Sequence, residues 1–266
     1  MFGPTTSSRI RTCRLGLRVF DRYLVRELDL DICAGEMWCM LGVNGAGKST
    51  LLRAMAGLQK IHDGSILYSN RPAADIEPLQ MARTLGFMPH TVRDSFGTKV
   101  LDVVLASRHP RLSLWQWDGD EDWAIAYQAL SAVGVKELAG RDVMTLSEGE
   151  RQRVSIASLL AQDVDALLLD EPVASLDLHH QILVLDHLAS LSRAKKSIIY
   201  SVHDINLAYV YSTHCILFQD DGRILHGPTH QVMTSESLSY AFKHPISVKQ
   251  IDGNTLFVTE RDSSTS

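Results

Sequence analysis

Two hydrophobic patterns divide the chain. Between residues 9 and 33, apolar and polar positions alternate in short runs, which predicts antiparallel strands with one buried face. Later, compact apolar runs at 37–41, 166–169 and 197–202 predict strands that are buried on both faces. Segments with helical spacing of apolar residues lie between these runs. Buried strands that alternate with helices predict an α/β protein whose main sheet is mostly parallel.

A glycine-rich stretch follows the first buried strand and precedes a predicted helix that ends near Gly57. It matches the phosphate-binding pattern G-x-x-x-x-G-K-[ST] at every fixed position. The residues of this phosphate loop are Gly42, Val43, Asn44, Gly45, Ala46, Gly47, Lys48, Ser49 and Thr50. Its glycines let successive backbone N–H groups face one concavity, and the helix dipole adds positive potential. We therefore expect a nucleotide here, with Lys48 on the β- and γ-phosphates and the Ser49 hydroxyl on Mg²⁺.

Two carboxylates follow the apolar run 166–169, and a histidine follows the run 197–202. Asp170, at the end of its strand, suits a Mg²⁺ ligand, directly or through water. The pleat turns the next side chain elsewhere, so that Glu171 can face the γ-phosphate and polarise a water molecule. His203 is placed to hydrogen-bond the γ-phosphate, although a single histidine at a strand end is more often structural. Acidic turns are also common at strand ends, but the matching phosphate loop favours the functional interpretation.

Bulk composition narrows the class of protein. At 266 residues the chain fits one large domain, and its hydrophobic content of 45% is that of a globular protein. The formal charge of −5 offers no basic footprint for nucleic acid. The four cysteines show no zinc spacing, which favours free thiols in a reducing compartment. No apolar run reaches about 18 residues, so we expect a cytoplasmic protein that a partner would have to hold at any membrane.

The order of the motifs indicates a family. The motifs are GVNGAGKST (42–50), LSEGE (146–150), LLLDEP (167–172), SLD (175–177) and His203. This order resembles the ATP-binding cassette of ABC transporters over nearly the whole chain, and the Leu-Ser-x-Gly-Glu element distinguishes it from other phosphate-loop ATPases. The resemblance implies ATP and Mg²⁺ as ligands and a head-to-tail homodimer. In such a dimer Ser147 and Gly149 of one copy cap the ATP on the other copy's phosphate loop, and Asp177 lies at the interface.

The signature segment, residues 146–150, also predicts local structure. Ser147 and Glu150 have the spacing of a capping box, S-x-x-E, at the start of a helix. The N–H groups at such a helix start form an anion site. One chain then has a phosphate loop and a phosphate cap that cannot face each other within one molecule, which predicts two composite ATP sites in the homodimer.

The resemblance implies a fold and a division of the chain. We expect a P-loop NTPase core, a mostly parallel sheet with flanking helices, joined to an N-terminal antiparallel β subdomain and an inserted helical subdomain. One ABC ATPase domain would span 9–260, and the ends 1–8 and 261–266 are predicted to be disordered. Its parts would be a nucleotide-binding core (9–90 and 162–230), a helical lobe (91–161) and a C-terminal extension (231–260).

Three positions depart from the family pattern. Glu148 stands where the family usually has glycine, so either its carboxylate points away from the triphosphate, which we expect, or closure around ATP is weaker. His90 stands where the family usually has a glutamine that links Mg²⁺ and the attacking water to the helical lobe. We count His90 among the catalytic candidates, although the sequence does not decide whether it makes the same link. The aromatic residue that stacks on adenine is also undecided: Leu17 falls near the expected position, and the nearby Phe20 and Tyr23 are either candidates for stacking or simply packing residues.

A narrower resemblance concerns the transported cargo. Residues 175–181 and 203–208 are similar to cassettes that serve iron-siderophore, haem and cobalamin importers. This similarity implies an ATPase that energises an inner-membrane importer of a ferric siderophore or haem. It would bind, peripherally and on the cytoplasmic face, two copies of a multi-span permease, and a periplasmic binding protein would act indirectly. It would contact neither nucleic acid nor cargo. The alternatives are a cobalamin importer ATPase, an exporter ATPase and a non-transport cassette ATPase.

Overall fold

The computed structural model describes residues 8–90, 97–111, 119–219 and 221–260. Its strands, in chain order, are β1 (Ser8–Val19), β2 (Arg22–Cys33), β3 (Met37–Leu41), β4 (Asp63–Tyr68), β5 (Arg71–Pro72), β6 (Leu85–Met88), β7 (Ala166–Leu169), β8 (Ser197–Ser201), β9 (His214–Phe218), β10 (Ile224–Pro228), β11 (Ile246–Ile251) and β12 (Asn254–Thr259). Its α-helices are α1 (Lys48–Met55), α2 (Pro78–Ala82), α3 (Val100–Ala106), α4 (Asp120–Ala132), α5 (Glu148–Ala161), α6 (Leu178–Arg193), α7 (Ile205–Tyr211), α8 (Thr229–Val232) and α9 (Ser235–Phe242).

The central sheet has six strands in the order β10-β9-β3-β8-β7-β6. Strands β9, β3, β8, β7 and β6 run parallel, and β10 pairs antiparallel with β9 at one edge. A second, antiparallel sheet has the order β2-β1-β4-β5. The predicted α/β class, with a mostly parallel core and an N-terminal antiparallel part, is therefore confirmed. Near the C-terminus, β11 pairs antiparallel with β12.

Each face of the parallel sheet covers a separate hydrophobic cluster. Because side chains alternate along a strand, Leu167 and Leu169 enter one cluster while Leu168 enters the other. The first cluster includes apolar residues of α3 to α7, and the second includes α1 and the antiparallel sheet. Because apolar side chains cover both faces of the sheet, the sequence of each of these strands is a continuous apolar run.

The parallel register fixes where the strands deliver their ends. Met88 of β6 is paired with Leu169 of β7, and Leu169 is paired with Tyr200 of β8. The residues that follow these three strands therefore emerge side by side at the carboxyl edge of the sheet. In parallel α/β sheets this edge is where ligands bind.

A block of helices, α3 to α5, lies in the chain between β6 and β7. A buried ion pair between Arg108 and Asp122 joins the end of α3 to the start of α4. Arg108 also donates from Nη1 to the carbonyl oxygen of Ala161, 2.8 Å away, at the end of α5. The guanidinium therefore fixes the three helices together, and it lowers the pKa of Asp122 through their hydrogen bond.

Three further observations concern the cysteines, the tryptophans and the lengths of the helices. All four cysteines are free thiols, as predicted, and Cys39 and Cys215 are buried opposite one another on β3 and β9. Trp123 lies in the first turn of α4 and is 41% exposed, whereas Trp115 and Trp117 lie outside the described residues. Within the ranges given above, every helix is too short or too polar to span a bilayer.

Candidate nucleotide-binding site

The phosphate loop connects β3 to α1 through a tight turn. Gly42, Gly45 and Gly47 have φ angles of +147°, +76° and +116°, which favour glycine strongly. A Cβ on Gly42 would lie 2.8 Å from the Cβ of Phe218, so that position also lacks space for a side chain. Gly47 is the N-cap of α1, and no side chain caps this helix. The first N–H groups of α1 are therefore left for an anionic ligand.

The Lys48 side chain folds back over this loop. Its Nζ donates to the carbonyl oxygens of Gly42 and Val43, at 2.7 Å and 3.2 Å. The residue is only 6% exposed, and burial lowers the pKa of its amine, although the charges of Glu171 and Asp170 act in the opposite direction. A cation that is desolvated in this way gains strongly from an anion brought to the same place.

Asp170 follows β7 and is 1% exposed. Its Oδ1 accepts a hydrogen bond of 2.7 Å from the Ser201 hydroxyl, whereas its Oδ2 is buried and has no partner among the described residues. A buried carboxylate oxygen without a partner is costly, and a cation is the natural way to satisfy it. The hard oxygen donors of Asp170 and Ser49 suit Mg²⁺. Ser49 lies in the first turn of α1, where the sequence predicts the start of a helix.

Glu171 has a backbone conformation that is unusual for a residue with a side chain. Its φ angle is +53°, in the left-handed region. Its N–H donates to Ser201 Oγ at 2.7 Å, and its carbonyl oxygen accepts from Gln152 Nε2 at 3.1 Å. These bonds hold the strained turn. They leave the Glu171 carboxylate free to meet two imidazoles, since Oε1 lies 2.9 Å from His203 Nε2 and Oε2 lies 3.4 Å from His90 Nδ1.

The signature segment forms the start of α5, and the predicted capping box is confirmed. The Ser147 hydroxyl accepts from the N–H of Glu150 at 3.3 Å, and the Ser147 N–H donates to Glu150 Oε2 at 2.8 Å. The Ser147 N–H and hydroxyl, the latter at 2.9 Å, both donate to Glu150 Oε2, and these two bonds lower the pKa of the Glu150 carboxyl. A Cβ on Gly149 would lie 3.2 Å from the carbonyl oxygen of Ser175, so the helix start packs closely on the turn before α6. Glu148 is exposed.

Asp177 caps the next helix. Its Oδ1 accepts from the N–H of His180 at 2.9 Å and lies 2.8 Å from His180 Nδ1. The first of these bonds is the main cause of a lowered pKa for the Asp177 carboxyl. The carboxylate thus has a structural role at the start of α6, and it is also exposed for contact with another molecule.

Comparison with known proteins identifies the family. A family model described as ABC transporter matches residues 25–174, which include the phosphate loop, the signature segment and both carboxylates. The chain belongs to the ABC transporter family. Proteins of this family use ATP-binding subunits that hydrolyse ATP to drive transport, and the motifs of this chain are those of such a subunit.

Named relatives share most of the length of this ABC subunit. The petrobactin import ATP-binding protein of Bacillus anthracis is 38% identical over 252 residues, or 94% of this chain and 91% of the relative. The hemin import ATP-binding protein of Nocardia farcinica is 38% identical over 85% of this chain and 78% of its own. A chain of a transporter described as metal-chelate type, in an inward-facing conformation, superposes with a TM-score of 0.82 at 27% identity, covering 96% of this chain and 99% of its own.

The structure of this ABC subunit brings only part of the predicted site together. Asp170, Glu171, His90 and His203 meet at the edge of the sheet, beside Lys48. Within the described ranges, no hydrogen bond or ion pair joins Ser147, Gly149 or Asp177 to the phosphate loop. These three residues lie on the two neighbouring helix starts instead.

Two residues that position the ABC carboxylates were not predicted. Ser201 holds both Asp170 and the backbone of Glu171, and Gln152 holds the carbonyl oxygens of Glu171 and Pro172. A serine at the end of an otherwise apolar buried strand is a signal that could have revealed the first. Gln152 sits two residues beyond the signature segment and gives no comparable signal.

Leu17 and the two nearby aromatic candidates for an adenine contact differ in their surroundings. Leu17 is buried in the core beneath the antiparallel sheet. Tyr23 lies in β2, under the guanidinium groups of Arg18 and Arg26. Phe20 lies in the turn between β1 and β2 and is 95% exposed. Of the three, Phe20 has the free aromatic face.

Proposed function

We propose that this chain is the ATP-hydrolysing subunit of an importer for a metal chelate, either a ferric siderophore or haem. The observation that supports this most strongly is the ABC phosphate loop, signature segment and carboxylate pair in a chain whose relatives, similar over most of their length, are named for import of such cargo. The subunit would bind peripherally to the cytoplasmic face of the inner membrane. There it would contact two permease copies, without touching the cargo or the periplasmic binding protein.

The phosphate loop would hold the triphosphate. The N–H groups at the start of α1 would face the β- and γ-phosphates, and Lys48 would exchange the carbonyl oxygens of Gly42 and Val43 for phosphate oxygens. Ser49 and Asp170 would hold Mg²⁺ through the hydroxyl and the buried Oδ2. When bound, this ion neutralises charge that develops on the phosphates.

Glu171 would act as the general base. Its carboxylate emerges beside the phosphate loop on a backbone fixed by Ser201 and Gln152, and it would take a proton from the attacking water. His203 Nε2, which lies 2.9 Å from Oε1, would hold the carboxylate and then donate to the γ-phosphate. The loop, Asp170, Glu171 and His203 form one half of the site.

A second copy of the chain would supply the other half. The start of α5 at Ser147 and Gly149 is a helix N-terminus with an exposed serine, and Asp177 is exposed on the neighbouring helix start. In a head-to-tail homodimer these residues would meet the triphosphate held by the opposite copy. Closure around ATP and opening after hydrolysis would then move the attached permeases.

Vesicles that contain the subunit and its permease test this proposal. With the binding protein and ATP present, we expect uptake of a ferric siderophore or haem that stops when Glu171 is replaced by Gln. A cobalamin supplied to the same vesicles is the control for cargo. Uptake of cobalamin alone, or ATP hydrolysis that is indifferent to the permease and to any chelate, would contradict the proposed cargo or the proposed coupling.

A further inference from the structure

The sheet register places Glu171 between two histidines. Met88, Leu169 and Tyr200 are paired across β6, β7 and β8, and β7 is the middle strand of the three. His90 and Glu171 each stand two residues beyond their paired positions, and His203 stands three beyond its own. The central strand therefore delivers a carboxylate, and each flanking strand delivers an imidazole to it.

Each imidazole meets a different oxygen of this carboxylate. His203 Nε2 lies 2.9 Å from Oε1, and His90 Nδ1 lies 3.4 Å from Oε2. The Glu171 side chain is only 18% exposed, so neither oxygen of its carboxylate meets its imidazole in open solvent. With one oxygen bound, a carboxylate can still rotate about its last torsion. With both oxygens hydrogen-bonded, its plane would be fixed.

His90 also borders a cavity of about 170 Å³ that it shares with Glu148 and Arg151. The His90 side chain is 53% exposed, so the ring has room to move toward Glu171 by the fraction of an ångström that a short hydrogen bond requires. Contacts of catalytic groups are often long before substrate binds and tighten afterwards.

We propose that His90 is a positioning residue for the Glu171 carboxylate. Its Nδ1 meets Oε2 while His203 Nε2 meets Oε1, so that the two imidazoles together fix the plane of the base. The inference rests on the proposed function, because it assumes that Glu171 takes the proton of the attacking water. It differs from the link expected from the resemblance, in which the residue at this position reaches toward Mg²⁺ and the water.

Substitutions of His90 distinguish the contacts that its two ring nitrogens can make. The side-chain amide of Asn is attached at Cγ, as Nδ1 is, whereas the amide of Gln lies one bond further out, near the place of Nε2. His90→Asn therefore keeps a donor for Glu171, while His90→Gln restores the link of the resemblance. His90→Ala removes both. Because the residue is half exposed and ends a strand, all three variants should fold like the parent chain.

The test measures ATP hydrolysis by the full chain with its permease, together with binding of a fluorescent ATP analogue. We expect His90→Ala and His90→Gln to lower kcat about tenfold with KM and ATP binding unchanged, because the carboxylate loses its orientation and the substrate contacts remain. His90→Asn should stay within about threefold of the parent. His230→Ala, on α8, is the control for loss of an exposed histidine, and its activity should be unchanged.

Two results would overturn the assignment: a His90→Gln variant as active as His90→Asn, or a His90→Ala variant with the parent kcat. Failure of the proposed function is distinguishable from both. In that case the parent chain itself would hydrolyse no ATP, or Glu171→Gln would hydrolyse it at the parent rate.

Discussion

The phosphate loop and the signature segment both place backbone N–H groups at the start of a helix, but their own polar groups are satisfied in opposite ways. At the loop, no side chain caps α1, the charge of Lys48 is buried, and Oδ2 of Asp170 has no partner. At the signature segment, Ser147 and Glu150 satisfy each other. Asp177, on the neighbouring helix, is satisfied by His180.

This difference shows which region needs a ligand to be complete. The loop holds desolvated charge and an orphan oxygen, so Mg²⁺ and a triphosphate would relieve real costs there. The signature segment is already complete as a helix cap, and its exposed face can serve another molecule without rearrangement. Changes on the loop side should therefore act on nucleotide binding or chemistry within one chain. Changes on the signature side should act on assembly.

Replacing Glu171 by Gln gives the largest expected effect. The amide keeps the shape and can accept from one of the two flanking histidines, but it cannot take a proton, so kcat should fall roughly a thousandfold. ATP binding should persist, and an ATP-dependent dimer should accumulate. Phosphate release, nucleotide binding and size-exclusion chromatography with light scattering measure the three quantities.

Glu236→Gln, on the exposed first turn of α9, is the matched control for this variant. A Glu171→Gln chain that loses ATP binding would mean that the carboxylate holds the nucleotide rather than the water. The expectation that Glu171 serves hydrolysis and not nucleotide binding would then be wrong.

Replacing Asp170 by Asn tests the orphan oxygen. The Asn carbonyl oxygen can still accept from Ser201, but the NH2 group that replaces Oδ2 cannot ligate Mg²⁺. ATP hydrolysis should therefore fall on the order of a hundredfold. Stabilisation of the parent by Mg-ATP, about 2.7 kcal/mol at a hundred times Kd, should be mostly lost. Thermal unfolding with and without Mg²⁺ measures it. Asp75→Asn is the surface control, and an unaltered Mg²⁺ dependence in Asp170→Asn would remove this residue from the metal site.

Phe20 presents an exposed aromatic ring in the turn between β1 and β2. If its exposed ring stacks on adenine, Phe20→Ala should weaken ATP binding by about 1–3 kcal/mol and leave kcat at saturating ATP unchanged. Binding of ATP and of inorganic triphosphate should be compared, since only the first contains a base. Tyr240→Ala removes an exposed aromatic residue on α9 and should change neither. Equal weakening for both ligands would exclude stacking.

The sequence predicted the loop region better than the surroundings of its carboxylates. Gly42 to Thr50 could be recognised because turn, charge and helix start lie within nine consecutive residues. Ser201 and His90 act on Glu171 from other strands, and only the register of β6, β7 and β8 brings them together. The residue that meets adenine could not be identified from the sequence of β1, because counting along a strand does not reveal which face is buried. Bulges in β1 change that count locally.

Ser147 separates capping from assembly in the signature segment. Ser147→Ala should destabilise the chain by about 1 kcal/mol, because the N-cap is lost. It should also lower ATP-dependent dimerisation and ATP hydrolysis. Ser147→Asn restores a good cap without the hydroxyl, so stability should recover while dimerisation stays low. Denaturant unfolding and light scattering measure the two effects. If Asn restores both, the segment acts through helix stability alone, and the contrast with the loop disappears.

The smallest expected effect is a pH dependence that arises from Lys48. Burial lowers the pKa of its amine in the folded chain, so the unfolded chain binds more protons in the window between that value and the usual lysine pKa of about 10.4. In this window the free energy of unfolding should rise with pH for the nucleotide-free parent, relative to Lys48→Met. The exposed Lys249→Met on β11 serves as the control. Saturating Mg-ATP should abolish the rise, because phosphate favours the charged amine. A rise that persists with nucleotide bound would mean that Lys48 does not meet the phosphates, and the loop would then resemble the signature segment, already satisfied by its own chain.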